Sequence, residues 1–307
     1  MTRPPATVIV LNYNGTRWIE RCLKSLSETR YENFKVILVD NASTDGSAEI
    51  ALTKFPQVEV ILNQDNEGFS EGNNIGIKKA LADGAKYIVL LNPDTRVEPG
   101  WLQELVDIGE TASDTGILGA VQLSYEGDGF NSWTVNALAK HLDELAEPAA
   151  ARSWIAVDWV EGACFAVKSC VFDAIGFLDP IYTAFYEEID FCRRAACRGY
   201  QTVVVPRSRI HHHRGGIWQS TARMSRRRNY LCDRSQFIYT LTEPRRSLVY
   251  NTGWYLVTLA TKVKEIIKEK ESDRAWDLLR MQFDLAGDLA VILGKWRKDR
   301  VQYDSVG

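Results

Sequence analysis

This chain of 307 residues has few cysteines and no excess of basic residues. Its six cysteines lie within apolar or helical patterns and include no C-x-x-C pair, so we expect reduced thiols in a cytoplasmic protein. The formal net charge of -3 gives no overall attraction to polyanions, and nucleic acid is therefore not an expected partner.

Long apolar runs are also missing. The nearest candidate, residues 247–263, is interrupted by Asn251, Thr252 and Gly253, and no run is long enough to span a bilayer. Residues 1–5 lead straight into a short apolar run that is typical of a first strand, not of a secretory signal. We therefore expect a cytoplasmic protein, with peripheral contact at the inner face of the cell membrane left open.

Two common nucleotide-binding motifs are absent. The turn after the first apolar run, residues 12–15, has the sequence NYNG in place of G-x-G-x-x-G, and no Walker A pattern occurs anywhere. These absences weigh against a dehydrogenase that binds a dinucleotide and against a P-loop enzyme.

The sequence does contain a regular alternation of short apolar runs with amphipathic stretches. Such alternation is typical of an α/β fold whose mostly parallel sheet is covered by helices on both faces. Nearly everything after residue 225 has a helical pattern. Strands are predicted at residues 8–11, 35–39, 58–62, 87–91, 117–123, 154–159, 163–167 and 201–205, and helices at 18–26, 47–55, 72–82, 101–109, 136–145, 169–175 and 186–198.

Polar residues follow several of the predicted strands at their carboxyl ends, where ligands bind in open α/β sheets. Asp40 can accept hydrogen bonds from a nucleobase or a ribose, whereas Asp45 and Ser47 are better explained as helix caps. Asp94 follows a buried strand, so its charge needs a partner, which a cation bridging a diphosphate would supply. An Asp-Thr turn explains the same tetrapeptide, residues 92–95, equally well.

Three further groups of charged residues are candidates for chemistry. Glu187 and Glu188 begin a predicted helix, where one of them could act as a general base, although acids there also complement the helix dipole. Residues 211–213 are three histidines on a strand, whose alternation leaves too few on one side for a zinc site. Residues 226–228 are arginines that suit a diphosphate or a solvated face.

Taken in order, these features resemble the family 2 inverting glycosyltransferases of the GT-A fold, especially bacterial rhamnosyltransferase-like members. The resemblance covers about residues 6–240 and does not extend into the tail. The segments that carry it are residues 8–15 (VIVLNYNG), 39–47 (VDNASTDGS), 66–76 (NEGFSEGNNIG), 90–95 (LLNPDT), 162–165 (GACF), 176–179 (GFLD), 186–193 (YEEIDFCR) and 212–216 (HHRGG).

The resemblance implies a role for each candidate. Asp40 would read the nucleobase, and Asp94 and His213 would hold Mg2+ or Mn2+. Glu188, with Glu187 as the second choice, would be the base of a single displacement at the anomeric carbon. Residues 226–228 (Arg226, Arg227 and Arg228) would contact the diphosphate of the donor. Asn92 stands where the family has the first Asp of its D-x-D element. The other implied donor-binding residues are Asn12, Tyr13, Asn14, Asn41, Asn66, Gly68 and Asn73.

The resemblance also implies the substrates and a domain division. The donor would be a dTDP- or UDP-sugar, with rhamnose as the expected sugar, and the acceptor a glycan or a lipid-linked glycan. A GT-A catalytic domain is predicted at residues 1–242, with a nucleotide-sugar half (1–123) and an acceptor half (124–242), followed by a helical extension (243–307). The alternatives are a sugar-1-phosphate nucleotidyltransferase and a non-catalytic module that binds nucleotide sugars or glycans.

The helical extension carries aromatic and aliphatic residues with basic residues on either side of its first helix. Packing against the catalytic domain or a second subunit is the preferred explanation of the apolar stripe, and contact with an anionic membrane is the alternative. The flanking basic residues are Arg245, Arg246, Lys262, Lys264, Lys268 and Lys270.

Overall fold

The computed structural model describes residues 2–149, 151–214, 222–269 and 272–305. Gly215 and Gly216 of the HHRGG segment, and Lys270, lie outside these residues. The strands are β1 (Ala6–Asn12), β2 (Phe34–Asp40), β3 (Glu59–Leu62), β4 (Tyr87–Leu91), β5 (Thr95–Val97), β6 (Thr115–Ser124), β7 (Ile155–Val157), β8 (Cys164–Lys168) and β9 (Gln201–His212).

Helices separate most of these strands. The first eight are α1 (Ile19–Ser27), α2 (Ser47–Lys54), α3 (Gly68–Ala82), α4 (Trp101–Thr111), α5 (Ser132–Ala137), α6 (Leu142–Ala146), α7 (Ser169–Ile175) and α8 (Glu187–Ala196). The C-terminal helices are α9 (Ala222–Leu241), α10 (Leu248–Glu269), α11 (Ser272–Gly287) and α12 (Leu289–Asp304).

The strands form one mixed sheet in the order β3-β2-β1-β4-β8-β6-β9-β5, with β7 paired to β9. The first four strands are mutually parallel, so their carboxyl ends share one edge, as expected from the crossover pattern. Strand β8 runs antiparallel to both β4 and β6. This arrangement confirms the predicted α/β class with a mostly parallel first half.

Two apolar cores cover the two faces of the sheet. One contains Val8, Val10 and Leu38 together with the inner side of α1 and α4, and the other contains Ile9 and Val39 with α3 and α7. Alternate residues of each strand therefore enter opposite cores, which explains why the strands appear in the sequence as continuous apolar runs.

One prediction about the middle of the chain is wrong, and one strand was missed. The helix expected over residues 136–145 is divided into α5 and α6 with a short 3-10 turn between them. Strand β5 was not predicted, because three residues directly after the Asp94 turn have no periodic signal of their own. It forms through pairing with β9, a contact between distant parts of the chain.

The chain forms two compact units. The first, Met1–Thr183 with Glu187–Ile217, contains the sheet, and the second, Ala184–Tyr186 with Trp218–Gly307, contains α9 to α12. Helix α9 belongs to the second unit because it packs against α10 and α11. The compact units thus divide the chain earlier than residue 242, and the boundaries of the catalytic domain stay a prediction.

Candidate active site

Asn12 and Asp40 join the carboxyl ends of β1 and β2. Asn12 Nδ2 donates to Asp40 Oδ2 at 2.7 Å and to the Ser47 hydroxyl at 2.8 Å. The other oxygen of Asp40 accepts the backbone N–H of Ser43 at 2.8 Å. A Cβ at Gly15 would collide with Asn12 Oδ1, so the turn after β1 requires glycine there. Asp40 is therefore a structural link between two strand ends as well as the predicted nucleobase residue.

The turns after these two strands are tied together by side chains. Asn14, at φ 51°, accepts the backbone N–H of Thr44 through its side-chain oxygen, and its own N–H donates to the Ser43 hydroxyl. Asp45 accepts the backbone N–H groups of Thr16 and Ser47. The helix cap expected at Asp45 or Ser47 is wrong, because Gly46 is the N-cap of α2 and Ser47 is the first residue of the helix. The rim formed by the two turns is rigid, and Tyr13 lies partly exposed on it.

Burial by itself raises the pKa of Asp45, but its hydrogen bonds with Ser47 and Thr16 outweigh burial and lower the pKa to about 2. The Asp45 carboxylate is therefore ionised at any physiological pH. It serves the structure of the rim and is not suited to proton transfer.

A row of amides follows β2 and β3. Asn41 Nδ2 donates to the Gly68 carbonyl at 2.9 Å, and Asn63 donates to Asn41 Oδ1 at 2.8 Å. Asn66 Oδ1 accepts the Gly68 N–H at 2.9 Å, where Gly68 has φ +76°. Asn73 Nδ2 donates to the Phe69 carbonyl within α3. These predicted donor-binding amides already make internal hydrogen bonds, and their contact with a donor stays a prediction.

Asp94 follows β4 and lies beside a histidine of β9. Thr95, the first residue of β5, pairs with His212, which brings the end of β9 next to the turn that contains Asp94. His212 Nε2 lies 3.4 Å from Asp94 Oδ1, and both residues are nearly buried. Asn92 contributes backbone contacts here: its N–H donates to the Ala163 carbonyl, and its carbonyl accepts the Thr95 hydroxyl.

His212 is flanked by acids on both sides. Its Nδ1 lies 3.0 Å from Gln122 Oε1 and 3.7 Å from Glu161 Oε2. Burial by itself lowers the pKa of His212, but the carboxylates of Asp94 and Glu161 outweigh burial and raise the pKa to about 9. Burial likewise raises the pKa of Glu161, yet His212 and Arg214 leave it lowered. The positive charge of protonated His212 thus offsets the negative charges of two buried carboxylates.

Sequence reasoning missed His212 and Glu161. Strand alternation drew attention to the outer two of the three histidines, yet the middle one is the neighbour of the Asp94 carboxylate. Glu161 directly precedes the GACF segment, a position that could have drawn attention to it. Nothing in the spacing of the residues indicated that these two side chains meet.

His213, the predicted cation ligand, adjoins Asp94 through the backbone. Its N–H donates to the Asp94 carbonyl at 3.1 Å. Its ring lies 4.3 Å from the Trp18 ring and 5.8 Å from that of Tyr125. The buried Nδ1 has no hydrogen-bond partner within the described residues, so this nitrogen retains its capacity to bind a ligand.

Glu187 and Glu188 begin α8, and both are shielded from water. Burial is the main reason that the pKa of Glu188 is raised to about 7, and the charge of Glu161 adds to it. Burial, followed by the negative charge of Glu188, raises the pKa of Glu187 well above its ordinary value. Glu188 Oε1 lies 3.9 Å from the position that a Cβ on Gly162 would occupy. Gly162 follows Glu161, which lies beside His212.

Helix α8 is anchored by a different acid. Asp190 is fully buried and accepts from Arg193 and Arg194, at 2.8 Å in each case. Arg194 also donates to the carbonyls of Ile175 and Phe177, beyond the end of α7. Asp190 therefore has a local, structural role. The first turn of the helix, which carries Glu187 and Glu188, therefore rests on a rigid support.

The predicted diphosphate arginines belong to the helical unit. Arg226 makes a two-pronged contact with Asp277, at 2.5 and 2.8 Å, and Arg228 lies 5.6 Å from the Phe185 ring centre. Arg227 is exposed. A role for the three arginines at a diphosphate stays a prediction, and for Arg226 it requires the contact with Asp277 to open.

The sequence profile of glycosyl transferase family 2 matches residues 7–168, which include the sheet ends and Glu161. This match spans more than half of the chain. The protein therefore belongs to glycosyl transferase family 2 and is a glycosyltransferase. The family assignment made from the short motifs is confirmed.

One curated relative and two solved structures illustrate the similarity. An N-acetylglucosaminyl-diphospho-decaprenol L-rhamnosyltransferase of Mycobacterium tuberculosis is 25% identical over 239 residues, which cover 67% of this chain and 75% of that protein. A mannosyltransferase of Pyrobaculum calidifontis in complex with GDP-Man and Mn2+ has a TM-score of 0.59 at 17% identity, covering 100% of this chain and 86% of that one.

The second structure, GalNAc-T7 with UDP, GalNAc and Mn2+, also has a TM-score of 0.59, at 15% identity. The similarity covers 78% of this chain but 48% of that one, so this chain spans about half the length of that protein. At such identities the two structures establish the GT-A fold alone.

Proposed function

We propose that this protein is an inverting glycosyltransferase that moves a sugar from a nucleoside-diphosphate sugar to an acceptor hydroxyl. The observation that carries the proposal is the shielded carboxylate of Glu188, whose pKa of about 7 suits a general base at neutral pH. Its Oε1 lies near Gly162, the residue after Glu161, and His212 lies between the carboxylates of Glu161 and Asp94.

The proposed reaction is a single displacement. Glu188 accepts the proton of the acceptor hydroxyl, and the hydroxyl oxygen forms a bond to the anomeric carbon. The bond between that carbon and the diphosphate oxygen breaks on the opposite face, so the anomeric configuration inverts. Positive charge develops on the sugar ring, as in glycoside hydrolysis, and one carboxylate base is sufficient.

The residues present fit a divalent cation that is held jointly by the protein and the donor. Asp94 supplies a carboxylate, and His213 supplies a buried Nδ1 that has no partner within the described residues. Among the residues that the structure describes, no group of three His, Cys, Asp or Glu side chains is arranged to hold a metal ion, so diphosphate oxygens and water would complete the site, as is usual for Mg2+. Bound there, Mg2+ or Mn2+ would neutralise charge on the leaving diphosphate.

The curated relative supports the proposed sugar and acceptor. Its printed name describes the transfer of L-rhamnose to a lipid diphosphate that carries N-acetylglucosamine. We extend this chemistry to the present chain: a dTDP- or UDP-sugar, with rhamnose as the first candidate, and a glycan or lipid-linked glycan as acceptor. Such an acceptor would keep the enzyme at the inner face of the cell membrane.

The test is turnover by the purified chain with a panel of UDP-, GDP- and dTDP-sugars, Mn2+ or Mg2+, and a polyprenyl-diphosphate glycan. We expect release of one nucleoside diphosphate and a product whose anomeric configuration, read by NMR, is opposite to that of the donor. Retained configuration would refute the single displacement, and the absence of turnover with every donor would refute the choice of substrates.

A nucleotidyltransferase, the main alternative, is not favoured, because the family match is to glycosyltransferases. A parallel reaction with a nucleoside triphosphate and a sugar 1-phosphate separates the two, since a nucleotidyltransferase would release pyrophosphate from that mixture. A module that only binds would release nothing.

A further inference from the structure

Helix α10 has an apolar face that nothing in the described residues covers. Val249 is 84% exposed, Leu256 57% and Ile267 71%, and Val263 lies on the same side of the helix. Together with Gly253 and Ala260 these residues recur at alternating intervals of four and three, which places them in one stripe along the helix. We call this stripe the α10 face.

The residues on the opposite side of α10 make the contacts that pack this helix within the helical unit. Asn251 is buried and donates to the carbonyls of Leu241 and Glu243. The Tyr255 ring lies 5.1 Å from that of Phe237 on α9, and Lys262 pairs with Asp233 at 2.7 Å. The packing within the unit therefore uses one side of the helix and leaves the α10 face exposed.

The charges around the α10 face are mostly basic. Arg246 precedes the helix, and among the side chains that the structure describes in its last turns Lys264 and Lys268 are exposed, as is the acid Glu265. Arg245 differs because its guanidinium is paired with Glu243. The long middle of the face between these ends carries no charged side chain.

Two aromatic residues border the same face. Tyr250 is 48% exposed and Trp254 is 47% exposed. The Arg246 guanidinium lies 4.8 Å from the centre of the Tyr250 ring, which places a cation beside an exposed aromatic group. Trp, Tyr and Arg favour the boundary between lipid and water, because each combines an apolar body with a polar tip.

We infer that the α10 face binds an anionic lipid surface, lying parallel to it with the apolar stripe among the acyl chains. Its basic ends match negative head groups, as in other interfacial helices. A second copy of the chain matches the face less well. Whether two α10 helices paired parallel or antiparallel, Arg246, Lys264 and Lys268 would approach cations of the other copy.

The test is sedimentation of the whole protein with vesicles of phosphatidylcholine alone and of phosphatidylcholine with 30% phosphatidylglycerol. Binding to the anionic vesicles is expected, with weakening at high salt because screening shortens the range of the attraction. The double variant Leu256→Ser/Ile267→Ser should bind about tenfold or more weakly. The matched control Leu52→Ser/Val135→Ser removes two exposed apolar residues of the sheet unit and should bind normally.

A charge variant tests the same proposal independently of the apolar contact. Lys264→Glu/Lys268→Glu should abolish the preference for anionic vesicles, whereas Lys86→Glu/Lys140→Glu, at exposed lysines of the sheet unit, should keep it. Circular dichroism checks that each variant is folded. Failure to bind anionic vesicles, or equal loss in the control variants, would overturn the proposal. So would a dimer in solution that the Leu256 and Ile267 substitutions dissociate. None of these readouts depends on the proposed reaction.

Discussion

The adjacent acids Glu187 and Glu188 affect each other's pKa values in opposite directions. Each is shielded from water, and the negative charge of Glu188 is a further reason that the pKa of Glu187 is raised well above its ordinary value. The hydrogen bond with Glu187, by contrast, lowers the pKa of Glu188 and partly offsets its burial. The two carboxyls titrate as a coupled pair, and Glu188, whose pKa is about 7, is the member proposed as the base.

The first prediction concerns Glu188→Gln. An amide cannot accept a proton, so kcat should fall by about two to four orders of magnitude while donor binding is retained. In the wild type, Glu188 is protonated below its pKa of about 7, so kcat/KM should rise as the pH increases through that value. The control is Glu49→Gln, at an exposed acid in the first turn of α2.

The Glu188→Gln prediction is contradicted if the variant retains wild-type turnover or if the wild-type rate does not change between pH 6 and pH 8. In that case, Glu187→Gln should be measured next, because Glu187 is the second candidate for the base.

The second prediction concerns Asp94→Asn. The substitution keeps the size of the side chain but removes the charge that faces His212 and that the proposed cation would need. The concentration of Mn2+ needed for half-maximal activity should rise about tenfold or more, together with a lower kcat. A titration of activity against Mn2+ measures both effects, and Asp128→Asn, at an exposed loop acid, should leave the titration unchanged.

At the scale of elements, helix α3 holds the segment that leads into α8. Asn74 Nδ2 donates to the Leu178 carbonyl at 2.9 Å, and its Oδ1 accepts the Leu178 N–H at 3.1 Å. The Ser70 hydroxyl donates to the Tyr182 carbonyl at 2.6 Å. The chain then passes through Phe185 and Tyr186, at φ 66° and 69°, before α8 begins. The position of Glu188 thus depends on polar residues of another helix.

The third prediction follows from this link. Asn74→Ala leaves a buried N–H and a buried carbonyl of Leu178 without partners, at a cost of about 1–3 kcal/mol. We expect a lower Tm and a kcat reduced more than the donor KM is changed, because the base is displaced. Asn33→Ala removes an exposed amide that contacts the Arg3 carbonyl and should change neither quantity. A loss of stability with unaltered kcat would show that Asn74 has no part in positioning the base.

At the scale of the whole molecule, side-chain contacts connect the residues along the rim of the sheet. Asn12, Asp40 and Ser47 form one hydrogen-bonded group, and Asp94, His212 and Glu161 form another. Both groups adjoin ends of strands in the same sheet. A ligand that binds the folded chain and not the unfolded chain adds to the stability of the folded chain in proportion to the logarithm of its concentration relative to Kd.

The fourth prediction uses that linkage. A nucleoside diphosphate with Mn2+ at about one hundred times its Kd should add about 2.7 kcal/mol to the free energy of unfolding and raise the Tm. Thermal unfolding with UDP, GDP and dTDP, with and without Mn2+, will identify the preferred base. In Asp94→Asn, the increment that depends on Mn2+ should disappear while that of the nucleotide alone remains. An unchanged Tm with all three nucleotides would contradict the proposed donor site.

The local pattern of apolar and polar residues was sufficient to predict most of the helices and strands. The parallel strands β1, β2 and β4 and the helices between them are long, periodic and bounded by polar turns, so their existence follows from the sequence within one or two residues at most ends. Their carboxyl ends, and hence Asp40 and Asp94, could be assigned to one edge because parallel strands with right-handed crossovers leave few alternatives. The family, and with it the glycosyltransferase class, followed from motifs within the same elements.

The sequence by itself determined the α/β class, the family and the edge of the sheet where the acids gather, because periodicity and turn residues act between near neighbours in the chain. Only the tertiary structure decided that His212, not its neighbours, faces the Asp94 carboxylate, that Arg226 pairs with Asp277, and which side of α10 stays exposed. These contacts join residues far apart in the sequence, and they depend on strand register and helix rotation, which residue spacing does not encode.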